Sequence, residues 1–286
     1  MATPIDLRHL GRSRVIAVYL LPGDEPALVD CGPQTCTDAL VDGLAEHGLE
    51  LSDLRHVLLT HIHPDHCGGV GALVRRHPGL QVHVHELGAP HLVDTTRLEA
   101  SARRVYGGEY DRLFGPIEAV PAANVHVLGA GVLGLEVFPT PGHAAHHVAF
   151  QAADGACYAG DAAGILVPPA RFLYPASAPP GIDVEAWERS LDALEARRPA
   201  TLCIAHFGVQ EDPAAHLALM RERLRLWSSR VRDGWTAEQF VVAAEEELQR
   251  EDAETIACYR HQPGFDLSYA GLRRYWDKQT ERQGEA

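Results

Sequence analysis

Lysine is almost missing from this chain: Lys278 stands alone among 25 basic residues, set against 39 acidic ones. The formal net charge of −14 argues against nucleic acid or an anionic membrane as a main partner, since both repel an acidic surface. There is no run of about 18 or more apolar residues, and so no candidate for a membrane-spanning helix. The N-terminus, Met1 to Arg8, lacks the basic and then apolar pattern of a secretory signal. The cysteines at 31, 36, 67, 157, 203 and 258 contain no CxxC pair, which suits reduced thiols better than a disulfide framework. These absences predict a cytoplasmic protein whose partner is a small-molecule substrate. They leave open whether it works as a homodimer.

What is abundant is histidine, at 17 of 286 residues, with 46% of the chain hydrophobic. A chain of this length can bury a substantial core without staples. In Thr60-His61-Ile62-His63-Pro64-Asp65-His66, three imidazoles and a carboxylate fall within six residues. The apolar run Val57-Leu58-Leu59 before it reads as a buried strand, and Gly68-Gly69 followed by Val70 to Arg76 reads as a turn into a helix. The cluster therefore sits at the carboxyl end of a strand, where open α/β sheets place their chemistry. Alternate side chains of an extended segment share a face, so His61 and His63 can reach one ion together. Asp65 and His66, beyond the bend at Pro64, can point to a second. Imidazole and carboxylate are the donors that zinc, iron and manganese sites draw on.

The pattern of an apolar strand ending in His or Asp beside Gly recurs downstream. It appears at Phe138 to His143, at Tyr158-Ala159-Gly160-Asp161 and at Cys203-Ile204-Ala205-His206. Convergence of these ends on one pocket is the simplest explanation. Asp30, before Cys31-Gly32, reads either as a loop cap or as a carboxylate behind the metal ligands. Residues 14–30 read as a hairpin, Thr37 to His47 as a helix stopped by Gly48, and Thr236 as the N-cap of a later helix. Gln81 to Glu86 alternates as a strand, and His83 and His85 read as ordinary members of it. The composition turns helical after Asp212, placing a boundary near residue 210.

In this order, the Asp30-Cys31-Gly32 strand end, the His-x-His-x-Asp-His loop at 61–66, Thr-Pro-Gly-His at 140–143, Gly-Asp at 160–161 and His206 resemble the metallo-β-lactamase superfamily, in its glyoxalase II-like and lactonase-like branches. The resemblance spans residues 15–208. It implies an α/β (α+β) fold: a four-layer αβ/βα sandwich over 1–210, with a helical C-terminal extension over 211–286 packing on it. It implies that His61, His63 and His143 hold one divalent ion and Asp65, His66 and His206 another, with Asp161 between them; zinc is foremost, iron and manganese the alternatives. The implied reaction is hydrolysis of an ester, thioester or lactone by a metal-bridging hydroxide. Asp161 would position the water, and Asp65 would also accept a hydrogen bond from it. The alternative within the same fold is a mononuclear iron persulfide dioxygenase using His61, His143 and Asp161. With Lys278 as its one lysine, the tail matches the glutathione-binding part of glyoxalase II poorly.

Two further expectations concern aromatic residues. Tyr106, Tyr110 or Tyr174 could assist an oxyanion. The proline-rich stretch from Gly164 to Pro175 is too irregular for a central strand, and its Phe172 and Tyr174 either line the pocket mouth or pack as core.

Overall fold

The computed structural model describes residues 3–284. Its strands are β1 (Thr3–Asp6), β2 (Ala17–Leu21), β3 (Ala27–Val29), β4 (His56–Leu58), β5 (Gln81–Val84), β6 (Val125–Val127), β7 (Gly131–Val132), β8 (Leu135–Pro139), β9 (Val148–Gln151), β10 (Ala156–Gly160), β11 (Thr201–Ile204) and β12 (Gly208–Gln210). Its helices are α1 (Thr37–Glu46), α2 (Pro64–Cys67), α3 (Val70–Arg76), α4 (Ala89–Val93), α5 (Thr96–Tyr106), α6 (Tyr110–Leu113), α7 (Val184–Ala196), α8 (Pro213–Arg232), α9 (Ala237–Leu248), α10 (Ala253–Tyr259) and α11 (Phe265–Gly284).

The strands form two six-stranded sheets, ordered β1-β2-β3-β4-β5-β6 and β12-β11-β10-β9-β8-β7. Both are mixed. β3 to β6 run parallel behind the antiparallel hairpin β2–β3, and β10–β11 is the parallel pair of the second sheet. Parallel neighbours need crossover connections, and those connections supply the outer helices.

Period-two alternation sorts side chains into layers. In and after β4, Val57 and Leu59 face the core under α1 and α3, while Leu58 faces the space between the sheets. In β10, Ala156 and Tyr158 join Leu58 between the sheets, while Cys157 and Ala159 face the helices on the far side. The result is helix, sheet, sheet, helix. The strands flanking Gly129 to Gly131 belong to different sheets, so this glycine-rich turn carries the chain from one sheet to the other.

The outer core of the second sheet is continuous with the C-terminal helices. Phe138, Leu202 and Ile204 share it with Trp187 of α7, Met220 and Trp227 of α8, Phe240 of α9, Tyr259 of α10 and Leu272 of α11. Thr236 and Gln239 form a reciprocal capping box at the start of α9. Glu247 accepts hydrogen bonds from Arg223 and Arg230, tying α9 to α8.

Phe172 and Tyr174 are part of this core. Tyr174 is 1% exposed, and its hydroxyl donates to the Pro263 carbonyl at 2.5 Å. Phe172, 5% exposed, packs its ring against Tyr259 at 5.4 Å and Phe265 at 5.9 Å. The stretch from Gly164 to Pro175 folds back on itself through an Ile165–Tyr174 bridge, which turns both rings under the C-terminal helices and away from the pocket mouth. Phe172→Ala should therefore cost about 3–5 kcal/mol in a denaturant titration and leave ligand preference unchanged. A variant of near-native stability with altered ligand preference would return Phe172 to the pocket.

Candidate metal centre

β4 ends at Leu58, and the next residues leave the sheet to build the centre. Asp30, at the end of β3, has a left-handed backbone (φ 59°) and turns its carboxylate beneath Thr60 and His66. It accepts from the Thr60 backbone N–H at 2.8 Å, from the Thr60 hydroxyl at 2.8 Å and from His66 Nδ1 at 2.9 Å. Pro64 opens the short helix α2, where its missing N–H costs nothing, and this one turn carries Asp65 and His66. Asp30 thus serves the loop and stands behind the donors as well.

Glycine is required at two places around the site. A Cβ on Gly142 (φ +133°) would lie 2.3 Å from the backbone of Trp187, so only glycine lets the strand end pass α7 and present His143. A Cβ on Gly160 (φ +48°) would meet His147 Nε2 and Thr60 Oγ1, both at 2.8 Å.

The strand ends bring seven donor side chains together. In the set His61, His63 and His143, and again in Asp65, His66 and His206, the donor atoms lie within 4.8 Å of one another. Asp161 faces both sets. Its Oδ2 is 3.5 Å from His143 Nε2, and its Oδ1 is 3.3 Å from His66 Nε2 and 3.5 Å from His206 Nε2. Asp65 Oδ2 lies 3.4 Å from His206 Nε2.

The outward hydrogen bonds decide which nitrogen carries a proton. His143 Nδ1 donates to the Ala176 carbonyl at 2.6 Å, and His206 Nδ1 to the Val15 carbonyl at 2.8 Å. The Thr60 hydroxyl donates to Asp30, so it accepts from His61 Nδ1 at 3.0 Å. His61 and His143 therefore turn Nε2 lone pairs inward, His206 turns its Nε2 toward the carboxylates of Asp65 and Asp161, and His63 points Nδ1 at His61 and His143, 3.0 and 2.7 Å away. A proton on His63 Nδ1 can satisfy only one of these two lone pairs, which leaves the other free to face a cation. Two buried atoms at the middle, His66 Nε2 and Asp161 Oδ1, face each other at 3.3 Å and have no other hydrogen-bond partner among the described residues. These facing atoms and this donor set fit divalent ions.

The electrostatics agree. Burial, reinforced by neighbouring imidazoles, pushes His61 and His63 well below their ordinary pKa, which keeps them neutral donors. Burial also opposes charge on His66 and His206, but the carboxylates of Asp161 and Asp65 outweigh it and raise both. Burial would raise Asp161, but the facing His66 and His206 hold it well below the carboxylate range. Protons on His66 and His206 thus do part of a metal's electrostatic work.

Three residues of the site escaped the sequence reading. Thr60 links Asp30 to His61. His147 accepts the Asp161 backbone N–H on Nε2 at 3.2 Å and donates from Nδ1 to Thr140 at 2.8 Å. His146 places its ring 6.1 Å from that of His63. The signal for His147 was its position four residues after His143, with Gly160 shaped around it. Of the three tyrosines, only Tyr106 lines the cavity at the centre. Tyr110 is fully buried with Phe114 and Ile117, and Tyr174 spends its hydroxyl on Pro263. His83 lies on β5 with its Nε2 3.0 Å from His56 Nδ1, apart from the centre.

A sequence profile of the metallo-beta-lactamase superfamily matches residues 11–206, and the chain belongs to that superfamily. Among curated proteins it is 28% identical over 168 residues to the "Probable metallo-hydrolase YqjP" of Bacillus subtilis, covering 51% of this chain and 52% of that protein. It is 32% identical over 139 residues to the hydroxyacylglutathione hydrolase of Stenotrophomonas maltophilia, covering 48% and 42%. The chain thus spans about half the length of these relatives, or less. Among solved structures, the metallo-beta-lactamase family protein TTHA1429 of Thermus thermophilus superposes with a TM-score of 0.69 at 24% identity, covering 99% of this chain and 93% of that one. TTHA1623, solved in a di-iron-bound form, gives 0.53 at 28% identity over 71% and 91%.

Two outcomes follow from the geometry. Because a metal held here would have to displace protons from His66 and His206, and rising pH removes those protons while Asp65 and Asp161 stay ionised, apparent metal affinity should rise from about pH 6 to pH 8. Competition titrations with a chelator across that range measure it, and a flat or inverted profile contradicts the proton assignment. Asp30→Asn should weaken metal binding about 10–100-fold by loosening His66. An unchanged metal dissociation constant would reduce Asp30 to a loop cap.

Proposed function

We propose that this chain is a dinuclear metal-dependent hydrolase of an ester, thioester or lactone. The observation that carries the reading is the double donor set: two groups of three side chains, with one carboxylate turned toward both. His61, His63 and His143 would hold one ion, and Asp65, His66 and His206 the other. A pair of divalent ions supplies Lewis acidity and brings the pKa of a bound water near neutrality.

The chain's own residues do the rest. Asp161 would lie between the two ions, since its Oδ1 faces His66 and His206 while its Oδ2 faces His143. Its backbone N–H is pinned by His147, which fixes where those oxygens point. Asp65 keeps 13% of its side chain exposed and borders the open cavity, so it is placed to accept a hydrogen bond from an attacking water. No serine or cysteine nucleophile is needed, and the six cysteines are all buried.

Two neighbours support the reading. One relative bears the name hydroxyacylglutathione hydrolase, and one structural neighbour was solved in a di-iron-bound form. Zinc and iron both suit the donors. The intact second set, Asp65, His66 and His206, favours two ions over the single iron of a persulfide dioxygenase.

Metal analysis of protein purified without added metal should return about two ions per chain, with hydrolysis of at least one ester, thioester or lactone in a substrate screen. Asp161→Asn should lose more than the roughly 10–100-fold that an outer partner costs, in both metal affinity and turnover. One iron per chain with oxygen consumed on a persulfide, or an Asp161→Asn variant with full metal and full activity, would overturn the proposal.

A further inference from the structure

A second group of imidazoles lies on the first sheet, apart from the candidate centre. The strand register builds it. β4, β5 and β6 run parallel, with His56 opposite Gln81, Leu58 opposite His83, and His83 opposite His126. Register partners, and residues two apart, point to one face of a sheet. His56, Gln81, His83 and His126 therefore stand on the same face, with three imidazoles on three adjacent strands. His56 Nδ1 lies 3.0 Å from His83 Nε2. The His83 ring is 5.1 Å from that of His56 and 5.3 Å from that of His126. His56 and His83 are half-buried and His126 is exposed, so an ion can enter from solvent. Glu25, in the turn before β3, brings a carboxylate oxygen to 3.9 Å from His56 Nε2.

These spacings are close to those of bound ligands. Two nitrogens held by one tetrahedral ion at about 2.0–2.1 Å stand about 3.3–3.4 Å apart, and their rings about 5 Å apart. In the candidate centre, the rings of His61, His63 and His143 are spaced at 4.5 to 4.9 Å. Outer bonds also select the binding nitrogen. The Gln81 amide donates to the Gly79 carbonyl, which turns its oxygen toward His126 Nε2. His126 Nε2 thus carries the proton, and Nδ1 carries the lone pair. His56 Nε2 is buried and has no hydrogen-bond partner among the described residues, with the Glu25 carboxylate beyond it. Burial, reinforced by His56 and His126, lowers His83 to about 4, and burial lowers His56 as well. Both are therefore neutral donors near neutral pH. The hydrolytic reading uses none of these residues.

We propose that His56, His83 and His126 form a separate site for one divalent transition-metal ion of the zinc class. Neutral imidazoles suit zinc, copper and nickel, whereas magnesium and calcium take oxygen donors. His83 is the middle ligand, since its ring adjoins both others. The ion replaces the proton between His56 Nδ1 and His83 Nε2, and His126 joins it through Nδ1. Water or the exposed Glu25 fills the fourth position. Such an ion ties three parallel strands together across their side chains. It sits at the start of β4, the strand that leads into the His61 loop, and it does not depend on what the candidate centre holds or does.

The test is the zinc content of the full chain after equilibrium dialysis, with free Zn²⁺ buffered at about 1 µM so that weak surface binding stays empty. The wild type should hold one ion more than His126→Ala, and one more than His83→Ala, whatever number the centre takes. Melting temperatures are measured in zinc-free buffer. His126 is exposed, so its variant should melt as the wild type does; where His83→Ala melts lower, His126→Ala alone decides. Gln81→Leu removes the amide that orients His126 and should weaken the extra ion about 10–100-fold with all three imidazoles still present. His47→Ala, which removes an exposed histidine elsewhere, should leave the extra ion in place. Equal zinc content in the wild type and His126→Ala would overturn the proposal. So would an extra ion lost equally in His47→Ala, or one seen only at millimolar zinc, which is an adventitious ion only. The readout is a difference between chains whose candidate centre is intact, so the presence or absence of hydrolysis does not move it.

Discussion

Asp30 is the carboxylate on which the candidate centre hangs. It is 3% exposed, and it accepts three hydrogen bonds from the Thr60–His66 segment, one of them from the imidazole that faces Asp65 and Asp161. A buried carboxylate is costly unless it is fully hydrogen-bonded, and here the partners come from the loop that must be held. The same contacts orient His66 directly and His61 through the Thr60 hydroxyl. One anion behind the donors therefore sets two imidazole orientations and anchors the loop to β3.

Two further donors are fixed by backbone carbonyls from distant parts of the chain: Ala176 for His143 and Val15 for His206. Their outward bonds tie both imidazoles to other segments of the sandwich. The donors converge so closely that imidazole nitrogens and the Asp161 carboxylate face one another, an arrangement suited to bound cations or protons. The C-terminal helices take part less directly. They cover the outer face of the second sheet, bury Phe172 and Tyr174, and lend Pro263 to the cavity at the centre.

Much of this was written locally in the chain. Period-two alternation marked the strands, Gly48 and Thr236 marked helix ends, and four apolar strands each ending in His or Asp marked the donors, because ligand chemistry restricts which residue types can serve. That reading grouped His61 with His63 and placed Asp161 after a glycine whose positive φ the structure requires. Tertiary structure decided everything that depends on which segments meet. Phe172 and Tyr174 could not be assigned to wall or core, because the prolines around them announce irregular backbone and say nothing of its direction. The three tyrosines were indistinguishable, since reach toward a centre depends on where α5 crosses it. His147 drew no role from the sequence, because its bond to the Asp161 backbone joins two strand ends by a side chain. The sequence singled out the candidate donors, through residue chemistry and short-range spacing. Packing at long range decided the proton positions and the outer partners, because each depends on atoms that are far apart along the chain.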